Sequence, residues 1–307
     1  MTTHPLTSAH GFEFSGDITH FGLRENAART TVRVRNGTVA PVASKMAIGH
    51  WPAIPGKRAE VTIVAVDGSH VVTVGNMARF RVDTEASTIV SQYAEQLPPM
   101  LATTTLMSSP AAICIVQSGR LALHAGAVEL GGRSVLLAAP GTGGKTTLAA
   151  AFHTAGYRAL SDDLVGVDPV GVVDPAPALL RLRPDAAEHL AGNLPDAELR
   201  LEDAGKRFFE IAANRRGDGT AVPAAAILFL SWTTDDAVTI HEVPARDAIS
   251  ALWRQSFYLT THPGPGETFE RLATLADRVP AFEMRRPRDF GRLDECVARV
   301  EVLLAGL

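Results

Sequence analysis

The sequence predicts an α/β domain preceded by a smaller β-rich domain. Two observations predict this fold class. In the first third of the chain, β-branched residues alternate with charged ones and turn residues follow them, a pattern typical of antiparallel strands. From Leu121 onward, apolar strand-like runs alternate with helical stretches, as in α/β proteins. A chain of 307 residues is long enough for about two domains, and we expect them at residues 1–115 and 116–307.

Composition and charge indicate a globular protein and argue against nucleic-acid-binding, membrane and secreted proteins. Hydrophobic residues make up 46% and charged residues 20% of the chain, as in soluble globular proteins. The net charge of −4 provides no basic field for nucleic acid, and the longest apolar runs are too short to cross a bilayer. The N-terminus lacks the basic head and apolar run of a signal peptide, so we expect a cytoplasmic protein that binds neither nucleic acid nor membrane. Cys114 and Cys296 predict neither a disulfide framework nor a metal cluster.

The N-terminal domain is predicted from strand and turn signals. Asn36-Gly37 and Asp67-Gly68 are residue pairs typical of hairpin turns. Strands are expected at residues 29–35, Val61–Val66, 70–74 and 80–83. Irregular loops are expected where prolines surround a tryptophan, at Pro41, Trp51, Pro52 and Pro55. We interpret this domain as a recognition or scaffold module, since no catalytic group of residues stands out in it.

The pattern changes between the two domains. Residues 87–96 are expected to form a short helix, which Pro98-Pro99 ends. Residues 101–116 are apolar enough to form a buried helix. The domain boundary is placed at the end of this helix.

The elements of the α/β domain follow in order. Strands at residues 121–130 and 134–138 are joined by a tight turn, and the second strand leads into a glycine-rich segment at 139–147. A helix follows to about Ala155, and a strand at 157–160 leads to Ser161-Asp162-Asp163. Further strands are expected at 164–168, 170–174, 225–232 and 238–243, and further helices at 244–253, 267–278 and 289–304.

The glycine-rich segment predicts a phosphate-binding loop. A strand, a glycine-rich turn, Lys-Thr and a helix follow one another, which is the context that this motif requires. Backbone N–H groups of the loop would form an anion-binding nest, and the helix N-terminus adds a partial positive charge. Lys145 would bridge the β- and γ-phosphates and the Thr146 hydroxyl would bind Mg²⁺. The alternative is a simple glycine turn with a solvated Lys145. Nucleotide binding is expected from Pro140, Gly141, Thr142, Gly143, Gly144, Lys145, Thr146 and Thr147.

An acidic pair and a histidine are the other candidate site residues. Asp162 and Asp163 follow a short strand, where two carboxylates would lie near the phosphates and the metal. One would hold Mg²⁺, and the other would accept a hydroxyl proton. An ordinary turn is the alternative, because Ser and Asp favour turns. His124 lies in an apolar strand expected to neighbour the strand before the loop. It is either a hydrogen-bonded core residue or a group that orients a carboxylate of the pair.

Three segments together resemble the catalytic domain of the HPr serine kinase/phosphorylases and related kinases. They are residues 123–128, 139–148 and 156–165. That family carries a histidine before the phosphate loop and an acidic pair one helix after it. Residues 272–293 also resemble the C-terminal part of these kinases, so the resemblance covers residues 121–307. It implies an α/β P-loop kinase domain of the HPr kinase/phosphoenolpyruvate carboxykinase type, with ATP and Mg²⁺ as cofactors.

The resemblance also implies roles for individual residues. Asp162 resembles the catalytic base of the family, and Asp163 resembles the second carboxylate, on the metal side. His124 resembles the histidine that contacts this pair. Lys145 and Thr146 keep their roles in the phosphate loop.

One further basic pair resembles this family, whereas several positions of the sequence differ from the family motifs. Lys206-Arg207 resembles a basic element that closes over the phosphates, and the alternative is a solvated charge pair. Ala139 replaces the first glycine of the loop, and Thr142 stands where HPr kinases carry an inner glycine. In place of a downstream metal-site Glu, residues 178–184 carry arginines and no acid. The resemblance therefore points to divergent relatives, including lasso-peptide precursor kinases.

These expectations lead to an ATP/Mg²⁺-dependent kinase that phosphorylates a hydroxyl group. The expected acceptor is a serine or threonine of a precursor peptide, with a small hydroxylated metabolite as the alternative. A nucleotide-binding regulatory protein with decayed catalysis is a second alternative. We discount a carboxykinase-like lyase, because the chain is short for one and lacks an additional set of metal ligands. The resemblance permits a homo-oligomer. Trp253, Phe257 and Tyr258 either line an acceptor groove or belong to the core.

Overall fold

The computed structural model describes residues 7–18, 23–25, 30–42, 48–50, 61–190, 194–217 and 219–307. The irregular loop expected around Trp51, Pro52 and Pro55 lies outside these residues. Within them, the protein is a mixed α/β structure with three sheets.

The first sheet is built from the N-terminal strands. The strands of this part of the chain are β1 (Thr7–Ala9), β2 (Phe12–Gly16), β3 (Arg24–Glu25), β4 (Thr30–Asn36), β5 (Gly49–His50), β6 (Val61–Val66), β7 (Ser69–Val74), β8 (Ala78–Asp83) and β9 (Thr88–Tyr93). Eight of them form one sheet in the order β3-β1-β2-β4-β9-β8-β7-β6, whereas β5 joins a different sheet. Alternate residues of β8 are buried, including Phe80 and Val82, so one face of the sheet lies against the core.

The predicted hairpin of β6 and β7 is confirmed. The two strands pair antiparallel, from Val61 opposite Val74 to Val66 opposite Ser69. Both central turn residues have positive φ, 43° at Asp67 and 67° at Gly68, as a type I′ turn requires.

Two expectations for this sheet were wrong. Asn36-Gly37 does not close a hairpin, because β4 pairs in parallel with both β2 and β9. Residues 87–96 do not form a helix, since they contain β9. β9 is rich in β-branched residues and lies between β4 and β8, so pairing with two neighbours decides its structure.

Two buried helices follow, α1 (Pro99–Leu106) and α2 (Ser109–Gln117), where one helix was expected. Pro110 is the physical reason for the break. Its ring has no N–H to donate and would clash with the carbonyl of Leu106, four residues earlier, if the helix were continuous. Contrary to the expectation that no apolar run is long enough, Pro99–Gln117 as a whole is long and apolar enough to cross a membrane, with a mean hydropathy of 1.4. However, 78% of its most apolar 18-residue stretch is buried inside the protein. That burial is typical of core helices in soluble proteins.

The remaining chain alternates strands and helices. Its strands are β10 (Leu121–Leu123), β11 (Ala125–Leu130), β12 (Arg133–Ala138), β13 (Arg158–Ser161), β14 (Val165–Val167), β15 (Val172–Asp174), β16 (Leu179–Leu182), β17 (Ala197–Asp203), β18 (Lys206–Ile211), β19 (Val222–Trp232), β20 (Thr239–Val243), β21 (Ser256–Leu259) and β22 (Ala281–Arg286). Its helices are α3 (Lys145–Thr154), α4 (Pro184–Leu190), α5 (Ala213–Arg216), α6 (Ala245–Trp253), α7 (Pro265–Arg278) and α8 (Leu293–Ala305), and a 3₁₀ turn (Phe290–Arg292) precedes α8.

Most of these strands form one large sheet in the order β13-β11-β12-β19-β15-β14-β10-β21-β5, with β22 and β20 branching from β19. β12, β19 and β22 are parallel to one another. The helix after the glycine-rich segment packs its Leu148 and Phe152 into the same core as Val300 of α8. The predicted turn between β11 and β12, the hairpin of β14 and β15 and the helix α3 are confirmed.

The third sheet, β16-β18-β17, was not expected from the sequence. Its outer strand β17 is mostly exposed and charged, so it lacks the apolar alternation by which strands are recognised.

Long-range contacts connect the N-terminal sheet to the larger one. Arg24 is buried, and its guanidinium donates to the carbonyls of Ala159 and Ala176, both at 2.9 Å. Arg120 pairs with Asp174 and also donates to the carbonyl of His10 at 2.6 Å. The predicted division at residues 115 and 116 falls within α2.

Candidate functional site

Three chain junctions meet at one edge of the large sheet. The glycine-rich loop follows the end of β12, and His124 immediately precedes β11. Ala125 of β11 lies opposite Ala138 of β12, which brings His124 beside the start of the loop. Ala127 of β11 lies opposite Ser161 of β13, which brings the Asp162-Asp163 turn to the same edge. Sheet register therefore places all three predicted parts of the site together.

The loop backbone is held by close packing. A Cβ on Gly143 would collide with the Ala139 side chain, and one on Gly144 would collide with Arg286. Gly144 also has a φ of +79°, which favours glycine. Thr142 has a φ of +67°, so the residue that replaces the inner glycine adopts a conformation that is costly for a β-branched residue.

The mouth of the loop faces solvent. Pro140 and Thr142 are exposed, and the other loop positions expected to contact phosphate, except Gly143 and Lys145, are half-buried. These half-buried positions are Gly141, Gly144, Thr146 and Thr147. An anion could therefore reach the N-terminus of α3 from solvent.

Lys145 and His124 connect the loop to the acidic pair. The buried Lys145 ammonium donates to the carbonyl of Ala139 at 2.8 Å and lies 3.2 Å from Nε2 of His124. An ammonium group has donors only, so Nε2 must accept and Nδ1 must carry the ring proton. Nδ1 faces Asp163, at 3.2 Å from its carbonyl oxygen and 3.3 Å from its carboxylate. Of the two interpretations of His124, this contact favours a role in orienting the acidic pair.

Arg181, on β16, bridges the two carboxylates. Its backbone N–H and its Nε both donate to Oδ2 of Asp162 at 3.0 Å. Its Nη2 lies 3.0 Å from Oδ2 of Asp163. One guanidinium therefore neutralises part of the charge of both aspartates. Arg181 lies within residues 178–184, where the HPr kinases were expected to carry a metal-binding Glu.

Electrostatics keep Asp162 ionised. Burial raises the pKa of its carboxyl group, but the charges of Arg181 and Lys206 and hydrogen bonds from Thr146 and Arg181 outweigh burial, so its pKa is below the ordinary value. Oδ1 of Asp162 is buried and accepts no hydrogen bond of ordinary geometry from the described residues. Such an oxygen can accept a further donor or bind a cation.

The donor groups fit a magnesium ion. Thr146 and the two aspartates offer hard oxygen ligands, which Mg²⁺ prefers. Among the described residues, no group of three or more His, Cys, Asp or Glu side chains could hold a metal ion. In nucleotide-dependent enzymes, Mg²⁺ is commonly bound by one or two carboxylates together with substrate phosphates. Arg181 competes with the cation for the same carboxylates.

The two residues of the basic pair, Lys206 and Arg207, have different neighbours. Lys206 is close enough to Asp162 for its charge to lower the pKa of that carboxyl group. Arg207 pairs instead with the exposed carboxylates of Glu202 and Glu188, at 3.2 and 3.3 Å. The structure thus places Lys206 with the site residues and Arg207 in a solvated ion-pair network.

No family model and no curated protein matches the chain. Among solved structures, the chain is similar to the Hpr(Ser) kinase/phosphatase from Coxiella burnetii, at 10% sequence identity and a TM-score of 0.30. The match covers 61% of this chain and 99% of that one. At so low a TM-score the likeness decides neither fold nor function.

A small cleft opens beside the acidic pair. It is lined from the larger sheet by Asp162, Asp163 and Arg181, and from the N-terminal part of the chain by His10, Thr104 and Met107. His10 is buried, and neither ring nitrogen has a hydrogen-bond partner within the described ranges. Burial, together with Arg120 and Arg24, lowers its pKa to about 3, so the ring is neutral near pH 7.

Sequence reasoning missed several residues at this edge of the sheet. They are His10, Arg181, Trp232 and Arg286. The arginine-containing stretch 178–184 was the only signal for Arg181, because it stood where a metal-site acid was expected. Of the three aromatic residues considered for an acceptor groove, Phe257 is fully buried in the core and Trp253 stacks on Tyr258 at 5.0 Å between ring centroids.

Proposed function

We propose that this protein is an ATP/Mg²⁺-dependent kinase that transfers the γ-phosphate to a hydroxyl group. The observation that carries the proposal is the continuous set of contacts from Lys145 through His124 to Asp163, and through Arg181 to Asp162. These contacts join a phosphate-loop lysine to an ionised carboxylate with a free oxygen lone pair. Such an arrangement suits phosphoryl transfer, where positioning and charge stabilisation dominate.

In the proposed mechanism, each residue has a defined task. The loop N–H groups and Lys145 hold the β- and γ-phosphates, and Mg²⁺, when bound, would supply positive charge that stabilises the transferred group. Thr146 and Asp163 would hold the metal. Asp162, ionised at neutral pH, orients the acceptor hydroxyl and takes its proton at a carboxylate oxygen. His124 fixes Asp163 through its Nδ1 proton, and Lys206 adds positive charge near the phosphates.

The acceptor is proposed from the cleft between the acidic pair and the N-terminal residues. Because His10, Thr104 and Met107 line it, the N-terminal domain (residues 1–115) contributes to acceptor selection by the catalytic domain (residues 116–307). We propose a serine or threonine hydroxyl of a peptide as acceptor, with a small hydroxylated metabolite as the alternative. A cytoplasmic location, where ATP and Mg²⁺ are plentiful, accords with this proposal.

The test is phosphate transfer from γ-labelled ATP in the presence of Mg²⁺. Acceptors are peptides with a serine at the C-terminus, free serine and free threonine. We expect label on one acceptor class, loss of transfer in Asp162→Asn with ATP binding retained, and loss of ATP binding in Lys145→Ala. Transfer that persists in Asp162→Asn contradicts the role of the aspartate as base, and wild-type protein that does not bind ATP contradicts the proposal as a whole.

Arg181 favours one second candidate, a nucleotide-binding regulatory protein without turnover. Its guanidinium occupies both carboxylates that catalysis would use. ATP binding without transfer to any acceptor, in both the wild type and Asp162→Asn, is the outcome that supports this candidate.

A further inference from the structure

A second group of side chains lies beside the loop, outside the residues used in the proposed mechanism. β12, β19 and β22 are adjacent and parallel, so their C-terminal ends lie at the same edge of the sheet. The loop follows β12, Trp232 ends β19 and Arg286 ends β22. Ligands of α/β proteins commonly bind at the C-terminal ends of parallel strands.

Arg286 contacts the loop backbone, and Trp232 lies beside it. Arg286 donates to the carbonyls of Gly143 and Gly144 at 3.2 and 3.3 Å, and its guanidinium lies 4.3 Å from the centroid of the Trp232 ring. A Cβ built on Gly144 would lie 3.1 Å from Cη2 of Trp232, so the edge of the indole faces the loop. A ligand held by the loop would therefore lie close to this aromatic ring.

Arg286 carries a buried positive charge without a local counter-charge. Arg286 is 3% exposed, burial lowers the pKa of its guanidinium, and among the described residues no carboxylate forms an ion pair with it. Its Nε has no hydrogen-bond partner there either. A buried cation of this kind is costly unless an anion compensates it, which points to a ligand with negative charge next to the loop.

Arg288 extends the same surface toward solvent. It is exposed, and its guanidinium lies 5.2 Å from the centroid of the half-buried Trp232 ring. Guanidinium groups and aromatic rings are the usual surfaces on which nucleobases stack. The loop itself supplies only contacts to phosphate, so binding of a nucleoside requires a surface of this type nearby.

We propose that Trp232 and Arg288 form the platform on which the purine base of the nucleotide stacks, and that Arg286 supplies positive charge beneath the phosphates. This inference rests on the proposed nucleotide binding at the loop. It adds the base-binding surface, which the glycine-rich motif does not identify.

The experiment distinguishes the contribution of the base to binding affinity from that of the phosphates. Calorimetry measures the dissociation constants of Mg-ADP and of Mg-tripolyphosphate, which has phosphates and no base. Trp232→Leu is expected to weaken ADP binding about tenfold or more, and Arg288→Ala about fivefold, because stacking and cation–π contacts are lost. Both variants should bind tripolyphosphate within about twofold of the wild-type value, since base stacking makes no contribution to this ligand.

Arg285→Ala is the matched control for Arg288→Ala. Arg285 is also exposed, lies in the same segment and pairs with Glu283 rather than with Trp232. The Arg285→Ala variant should bind Mg-ADP and Mg-tripolyphosphate with the wild-type dissociation constants. Because Arg288 is exposed, its variant keeps the test decisive even if Trp232→Leu fails to fold.

The outcomes distinguish the two proposals. Unchanged ADP binding in Arg288→Ala and Trp232→Leu places the base elsewhere and overturns the platform, while the loop proposal stands. Equal weakening of ADP and tripolyphosphate makes these residues phosphate ligands and also overturns it. If neither ligand binds to the wild type, the proposed nucleotide binding fails, and the platform fails with it.

Discussion

At the scale of single residues, Arg181 links the two aspartates of the candidate site. It donates to both aspartates, and its charge helps to keep the pKa of Asp162 low. A carboxylate with a low pKa is a weak base, so this residue favours an ionised site at the expense of proton affinity. Any cation that binds the acidic pair must compete with this guanidinium.

Removing Arg181 should therefore expose the acidic pair to metal. We expect Arg181→Gln to tighten Mn²⁺ binding without nucleotide by about tenfold, because one positive charge leaves the site. The pKa of Asp162 should rise toward its ordinary value. Calorimetric titration with Mn²⁺ measures the first effect. Arg183→Gln is the control, since Arg183 is exposed and pairs with Asp185 at 3.7 Å. Weaker Mn²⁺ binding in Arg181→Gln would show that the guanidinium supports the metal site rather than competing with it.

His10 should make stability depend on pH. Its pKa is about 3 in the folded protein and about 6.5 when unfolded, so between these values only the unfolded chain binds the proton. The unfolding free energy is therefore highest above pH 6.5, and it decreases as the pH falls from 6.5 toward 3. We expect this residue to account for a loss of about 2 kcal/mol in unfolding free energy between pH 7 and 5.

Urea denaturation of the wild type and His10→Asn at both pH values measures this contribution. Asn cannot titrate, and it tolerates the φ of +54° at this position. The wild type should lose about 2 kcal/mol more than the variant over this range. Parallel losses in the two proteins would show that His10 titrates normally in the folded state.

At the scale of elements, the junction of β12 and α3 depends on a backbone position, Gly144, that strongly favours glycine. Gly144 combines a positive φ with close contact to Arg286 and Trp232 from the ends of two neighbouring strands. The N-terminus of α3 is thus fixed by β19 and β22 as well as by its own sequence.

Gly144→Ala should be clearly more destabilising than a glycine substitution at an open site. We expect it to lower the unfolding free energy by about 2–4 kcal/mol, from backbone strain and displacement of the Arg286 side chain. Gly119→Ala, with a φ of +85° and open space around its Cβ, should cost only about 1–2 kcal/mol. Chemical denaturation compares the two. Equal costs would mean that the arginine moves aside freely and that the loop is not held by this contact.

At the scale of the whole molecule, the N-terminal sheet and the larger sheet share one core. Phe80 and Ile89 of the N-terminal strands belong to the same buried cluster as Phe257 of β21 and Leu164, which immediately precedes β14. Arg24 adds hydrogen bonds across the junction, to the segments on either side of the β14–β15 hairpin. The two parts of the chain therefore depend on each other for burial.

A fragment of residues 116–307 should not be stable by itself. It would expose Ala122, Leu164, Phe257 and Leu259, which are buried against N-terminal residues in the full chain. We expect aggregation, or a melting temperature well below that of the full chain, because apolar area would return to water. Thermal unfolding followed by circular dichroism measures this. A fragment that melts at the temperature of the full chain would show that the shared core contributes little.

Local sequence signals specify the segments that carry most of the candidate site residues. The strand, the glycine-rich loop, α3 and the turn of Asp162-Asp163 lie within about 30 contiguous residues, where turn residues and apolar periodicity specify the structure. The hairpin at Asp67-Gly68 was predictable for the same reason. Three features follow instead from long-range packing: β9 is a strand, Arg181 bridges the aspartates, and Trp232 and Arg286 lie against the loop. These features depend on sheet register and on neighbours far apart in sequence, and pairing with such neighbours can outweigh local propensity.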